Sequence, residues 1–226
     1  TAQKKFGTGS GLFDGTGDYL TTADDADWAF GTGSFTIDFW VRFASLAGGG
    51  PVYFGGQYDA ADSFNTWYIN KDNNRIYINS ITSGTWDMSY YASWTPVIDT
   101  WYHIEYVRDG NTWYIFIDGV SQALTLEIGS ASGTWGDKAD ALNIGVNGEG
   151  ASFPLNGWLD ELRISKGVAR HTANFTPATS EYATDTDTKL LLHMNGTDAS
   201  TTFTDDSVAA ASAAVNQSNL LLMGVG

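Results

Sequence analysis

The sequence contains no cysteine, which removes disulfides, thiolate metal sites and cysteine nucleophiles at once. It does not bear on an extracellular setting. Positive charge is scarce: 11 Lys and Arg stand against 26 Asp and Glu, a formal net charge of −15. Such a surface repels phosphate backbones and anionic membranes, so nucleic acid is excluded as a natural partner. No apolar run is long enough to span a bilayer, and no membrane insertion is expected. The chain opens on Thr1, with neither Met nor a signal peptide, which reads as a processed or excised start. Glutamate is rare among the acids, at positions 105, 127, 149, 161 and 181 only; the remainder are Asp, a residue suited to turns and to hard-cation sites. Proline is also rare, with 4 residues, against 26 Gly.

What is present is the punctuation of an all-β protein, with apolar alternation broken by turn residues every ten positions or so. "FTIDFWVRF" (35–43) puts Phe35, Ile37, Phe39, Val41 and Phe43 on one face and Thr36, Asp38, Trp40 and Arg42 on the other. "WYINKDNNRIYIN" (67–79) reads as two strands across a polar turn, and "WYHIEYVRDGNTWYIFIDG" (101–119) as a hairpin turning at Asp109-Gly110. "DALNIGV" (140–146) and "GWLDELRIS" (157–165) follow as strands, and "SKGVARHTANF" (165–175) is the one candidate for a helical turn or two. Strict alternation along 157–165 places Asp160 in an apolar row with Trp158, Leu162 and Ile164, and Glu161 on the opposite face. Two carboxylates so divided cannot share one acid/base task. A carboxylate in an apolar row must be paired, hydrogen-bonded or metal-bound. His103, His171 and His193 lack metal-ligand spacing, and no Gly-x-Ser-x-Gly elbow is present.

Segments "LFDGTGDYL" (12–20), "GSFTIDFWVRF" (33–43), "TWYHIEYVRDGNTWYIFIDG" (100–119), "LNIGV" (142–146) and "NGWLDELRISKGVARHTANFTP" (156–177) occur in that order. Together they resemble the laminin-G-like, concanavalin A-like jelly-roll domains of bacterial surface proteins and of phage tail- or capsid-associated proteins. The resemblance implies an all-β jelly-roll sandwich of two antiparallel sheets over residues 1–180, with 181–226 as linker and C-terminal strand extension. It also implies a structural calcium at Asp160, with Asp14 or Asp18 as partners. Glycosidases of this fold class typically carry a Glu-x-Asp-x-Glu strand, and none of the five Glu opens one, so an enzyme is not expected.

Two further features bear on function. Exposed aromatic faces stack on sugar rings, which makes Trp86, Tyr90, Trp94 and Trp135 candidate glycan contacts, although sandwich cores consume aromatics as well. "KLLLHM" (189–194) offers Leu190, Leu191, Leu192 and Met194 to both faces of a strand that completes either its own sheet or a neighbour's. The expectation is a structural or adhesive module on a virion surface or in an extracellular assembly, partnered by itself or another surface protein. The alternative is a soluble lectin-like module that binds a glycan, with a glycosidase a weaker third.

Overall fold

The computed structural model describes residues 3–59, 63–148, 152–197, 199–208, 216–218 and 221–222. Among them, the first strands in chain order are β1 (Gly11–Asp14), β2 (Tyr19–Thr22), β3 (Phe35–Phe43), β4 (Pro51–Asp59), β5 (Ser63–Asn70) and β6 (Arg75–Thr82). Next come β7 (Thr85–Ser93), β8 (Trp101–Asp109), β9 (Thr112–Ile117), β10 (Val120–Ser121) and β11 (Thr125–Gly129). The last are β12 (Leu142–Ile144), β13 (Asn156–Lys166), β14 (Thr188–Leu192), β15 (Asn216–Ser218) and β16 (Leu221–Leu222). One sheet runs β10-β9-β8-β3-β13-β1-β16, with β14 also paired to β13; the other runs β11-β7-β6-β5-β4-β12-β2-β15. The jelly-roll sandwich expected from the sequence is therefore present.

The alternation of β3 is realised as read. Phe35, Ile37, Phe39, Val41 and Phe43 enter the core, where Val52, Phe54, Trp67, Ile69, Ile76, Ile78 and Met88 of the second sheet meet them. The β8–β9 hairpin closes one residue later than expected: Asp109 pairs with Thr112, leaving Gly110-Asn111 as the turn. No helix forms over 165–175. Gly167 is left-handed (φ +91°), Gly167 N–H bonds to the Ser34 carbonyl and Arg170 N–H to Thr36 Oγ1, so β3 takes the hydrogen bonds a helix would need. The only helical turn among the described residues is instead a 3₁₀ turn, Ala26–Trp28, capped by the Asp25 carboxylate.

Strand β13 departs from strict alternation, and the expected facing is corrected accordingly. Asp160 pairs with Trp40 but Arg163 with Asp38, so two residues of β13 oppose the single Phe39. Glu161 is the bulged residue, with φ +53°. The bulge keeps Leu159, Leu162 and Ile164 together in the core and turns Asp160 and Glu161 both to the outer side. Below the bulge β13 pairs with β1 through residues 156–159; above it, with β14 through 162–165. β1 and β14, near opposite ends of the chain, thus lie end to end along one edge of β13.

The segment expected to be a linker is part of this domain. Residues 171–187 cross the outer face of the first sheet as a strap, with Tyr182 buried against Trp40 and Leu191. Leu190, Leu192 and Met194 sit in the main core, and Leu191 on the opposite face. The apolar pattern of β14 therefore closes its own sandwich. At about 1.5–3 kcal/mol for each fully buried side chain, this strand carries a sizeable share of a marginal stability. Leu190→Ala is expected to cost about 2–5 kcal/mol in chemical denaturation; an unchanged denaturation midpoint would mean that β14 is not docked as described.

Candidate functional site: a polar trough on the outer face of the second sheet

Core-facing residues in one row of a sheet leave their neighbours facing outward, and on the second sheet these outward rows fall into register. Asn143, Gly56, Thr66, Asn79 and Ser89 are successive cross-strand partners on β12, β4, β5, β6 and β7. The row spans roughly 19 Å at about 4.8 Å per strand. On one side, two residues along on β5–β7 and three on β4, where the register shifts, stands a ridge of Tyr53, Tyr68, Tyr77 and Tyr91, again successive cross-strand partners. On the other side stands Tyr58, Phe64, Ile81 and Trp86. The result is a trough with a polar floor between two largely aromatic walls.

Glycine at position 56 is required by the floor. A Cβ there would lie 2.6 Å from the Asn65 carbonyl oxygen and 2.8 Å from Thr66 Cγ2. The tyrosine wall is stiff. Tyr68 stacks on Tyr53 at 4.6 Å and on Tyr77 at 4.9 Å between centroids, and the Arg75 guanidinium covers Tyr91 at 3.8 Å. Its rings turn their faces to one another, so they offer edges and hydroxyls to the trough. Asn73 and Arg75 donate to the Tyr77 hydroxyl, and Asn79 Nδ2 donates to that of Tyr68. Burial pushes the Tyr53 phenol up to about 12 and that of Tyr68 upward too, so both stay neutral.

The floor holds an anomaly. Thr66 and Asn79 are each 3% exposed, yet Thr66 Oγ1 and Asn79 Oδ1 have no hydrogen-bond partner. Burying such a group without a partner costs about 1–3 kcal/mol, so the floor carries unmet hydrogen-bonding capacity at two adjacent positions in register.

Of the aromatics singled out from the sequence, the trough recruits only Trp86. Trp135 is 1% exposed among Phe30, Phe35 and Trp67 and is core, not platform. Tyr90 packs inward on Trp113, and Trp94 packs on Phe43 and Tyr102 at the sandwich rim. The four tyrosines, Thr66 and Asn79 were missed. Their signal is tyrosine or polar residues recurring at alternate positions of adjacent strands, which becomes visible only once the register is known.

The outer face of the first sheet is built differently, from buried charge under the strap. Arg163 Nε and Nη2 donate to the two oxygens of Asp38 at 3.0 and 2.7 Å. Glu105 lies 3.0 Å from His171 Nδ1, and His103 Nε2 lies 2.8 Å from the Tyr182 hydroxyl. A cavity of about 520 Å³ lies between these residues and the strap. Glu161 accepts the Tyr182 amide and pairs with His193. Asp160 Oδ2 accepts the amides of Lys5 and Phe6, while Oδ1 is left without a partner. Although Asp160 and Glu161 share a side, each is buried and engaged by its own segment. Asp14 and Asp18 cap their own loop: Asp18 accepts Asp14 N–H, and Asp14 accepts Thr16 N–H. Asp14 pairs with Asn156, four residues and roughly 13 Å along β13 from Asp160, so the structure does not bring these carboxylates together.

A family model described as the concanavalin A-like lectin/glucanases superfamily matches residues 14–173. The chain belongs to that superfamily. No curated protein matches it in sequence. Among solved structures, a Bacteroides ovatus protein to which carbohydrate binding has been ascribed matches with a TM-score of 0.65 and 16% identity, over 96% of this chain and 60% of that one. The chain thus spans 60% of the length of that structure. Domain 4 of AbnA, an extracellular GH43 arabinanase of Geobacillus stearothermophilus solved with arabinotriose, gives 0.53 and 16%, over 75% and 82%. Mouse laminin α1 domains LG4-5 give 0.51 and 14%, over 81% and 48%. At these identities the likeness is one of fold.

The matched region takes in β3, β8 and β13, which carry Asp38, His103, Glu105 and Arg163, and stops at the start of the strap; Tyr182 of the strap and His193 beyond β14 complete the network. Burial raises the Glu105 carboxyl to about 7 from 4.5, against the pull of His171, and raises Asp160 to about 7 from 3.8 despite its two amide donors. Burial also lowers His103 to about 4 from 6.5. Between pH 4.5 and 7 the folded state keeps the Glu105 proton that the unfolded chain has lost. Its contribution is therefore full below 4.5 and disappears as the pH rises to 7. Asp160 acts in the same sense over its own window; His103 opposes both, its contribution being lost as the pH falls from 6.5 through 4. Melting temperatures of wild type and Glu105→Gln, taken from pH 5 to 7, are expected to diverge, with the variant curve falling less steeply. Parallel curves would show that Glu105 is ionised across that range.

Proposed function

We propose that this chain is a carbohydrate-binding module that holds its ligand in the trough of the second sheet and performs no chemical step itself. The observation that carries the reading is the pair Thr66 Oγ1 and Asn79 Oδ1, buried, adjacent and unpartnered on a floor between aromatic walls. A sugar hydroxyl supplies the donor or acceptor each lacks, while the C–H groups of its ring pack against the edges of the walls. The reading is supported by the carbohydrate binding ascribed to the Bacteroides ovatus protein and by the arabinotriose held by the arabinanase domain. Of the expectations raised by the sequence, this alternative has the better support, and nothing in the comparisons supports the virion role. The extracellular setting expected for it accords with that of the arabinanase.

Substitution separates binding from folding. Thr66→Val keeps the shape and removes a hydroxyl that has no partner in the protein, so the fold gains up to about 1–3 kcal/mol. Asn79→Ala gives up its bond to Tyr68 and costs about 1 kcal/mol. Each loses about tenfold in glycan affinity, the equivalent of about 1.4 kcal/mol. Affinity electrophoresis and calorimetry on immobilised and soluble glycans measure both effects. Variants that melt as stated and bind glycan as tightly as wild type would remove the trough from the reading.

A further inference from the structure

Resting on the trough as the glycan site, we infer that its ligand is a neutral, linear glycan lying across the strands, and that acidic sugars are rejected. Recognition of a carboxylate or sulfate needs a cation or a set of free donors at the floor, and this chain has little positive charge to place there. All 11 of its Lys and Arg fall within the described residues. Only Lys71, Arg75 and Lys138 belong to the second sheet or its connections, and each is committed elsewhere.

Lys71 Nζ donates to the Ala47 carbonyl at the sandwich rim. Lys138 is fully buried, with Nζ on Thr82 Oγ1. Arg75, at the edge of the tyrosine wall, pairs with Glu127 at 3.2 Å, donates to Tyr77 and lies over Tyr91. Glu127 itself reaches Ser89 of the floor at 3.5 Å, which sets a carboxylate at that end of the trough. The floor's two orphan atoms are a hydroxyl and an amide oxygen, and the amide oxygen can only accept. At that position it calls for a hydroxyl rather than a carboxylate, so discrimination against acidic sugars rests on the missing cations. The shape favours a chain without branches: the polar row crosses β12 and β4–β7, and large side chains stand on both sides of it from β4 to β7.

The test is binding of the full chain to neutral linear oligosaccharides (gluco-, xylo-, manno- and arabino-configured, in increasing length) beside uronate-containing, sulfated and sialylated ones. At least one neutral series is expected to bind, with affinity that grows with length and changes less than twofold between low and high salt. Acidic probes are expected to bind at least tenfold more weakly than the best neutral one. Ile128 supplies a control, since it pairs with Ser89 at the end of the row and is 45% exposed. Ile128→Lys is expected to leave the melting temperature and neutral binding unchanged and to raise binding of acidic probes severalfold. Preference of the wild-type chain for an acidic or a branched glycan, abolished by Asn79→Ala, would overturn this inference and leave the glycan-binding reading standing. Unchanged rejection of acidic probes by Ile128→Lys would overturn its electrostatic basis. Failure to bind any glycan would overturn both.

Discussion

The bulge at Glu161 is the constraint on which the rest of this architecture turns. A regular β13 would send Asp160 and Glu161 to opposite faces and one of them into the core, where an isolated carboxylate costs several kcal/mol. The left-handed turn at Glu161 (φ +53°) costs roughly 1–2 kcal/mol for a residue with a side chain, and avoids that burial. It also divides the edge of β13 into two short docking sites, one for β1 and one for β14. At the division, Asp160 holds the N-terminal segment through two amides and Glu161 holds the strap through Tyr182 and His193. One backbone irregularity thus ties both ends of the fold to its longest strand.

The fold was legible because its signal is local. The period-2 pattern of β3, the β5–β6 turn and the β8–β9 hairpin are each contained within a few residues, and each appears in the structure. Facing along β13 was not legible, since a bulge is invisible to a pattern that assumes alternation, and "DEL" reads equally well in either register. The absent helix at 165–175 failed for a related reason: helical spacing was present, but backbone donors of this stretch bond to Ser34 and Thr36, which no local window contains. The candidate binding face was the least legible. Thr66 and Asn79 are unremarkable in sequence and gain meaning only as cross-strand partners with Gly56 beside them.

The two outer faces of the sandwich resolve the same problem in opposite ways. Both carry buried polar atoms, and both retain some without a partner. On the first sheet His103 Nδ1 and Asp160 Oδ1 lie beneath the protein's own covering segments, where their cost is fixed by the fold and offset by the apolar surface that Tyr182 and Leu191 bury. On the second sheet the unpartnered atoms stand on the floor of a trough, and the walls beside them are held rigid by stacking and by the Arg75–Glu127 pair. A cost carried under a strap restrains the chain. The same cost carried between the aromatic walls would be recovered by a glycan whose hydroxyls reach those atoms, as proposed above. Charge then divides the labour: the buried cation–carboxylate network lies on the covered face, and the open face carries neutral phenols, amides and hydroxyls.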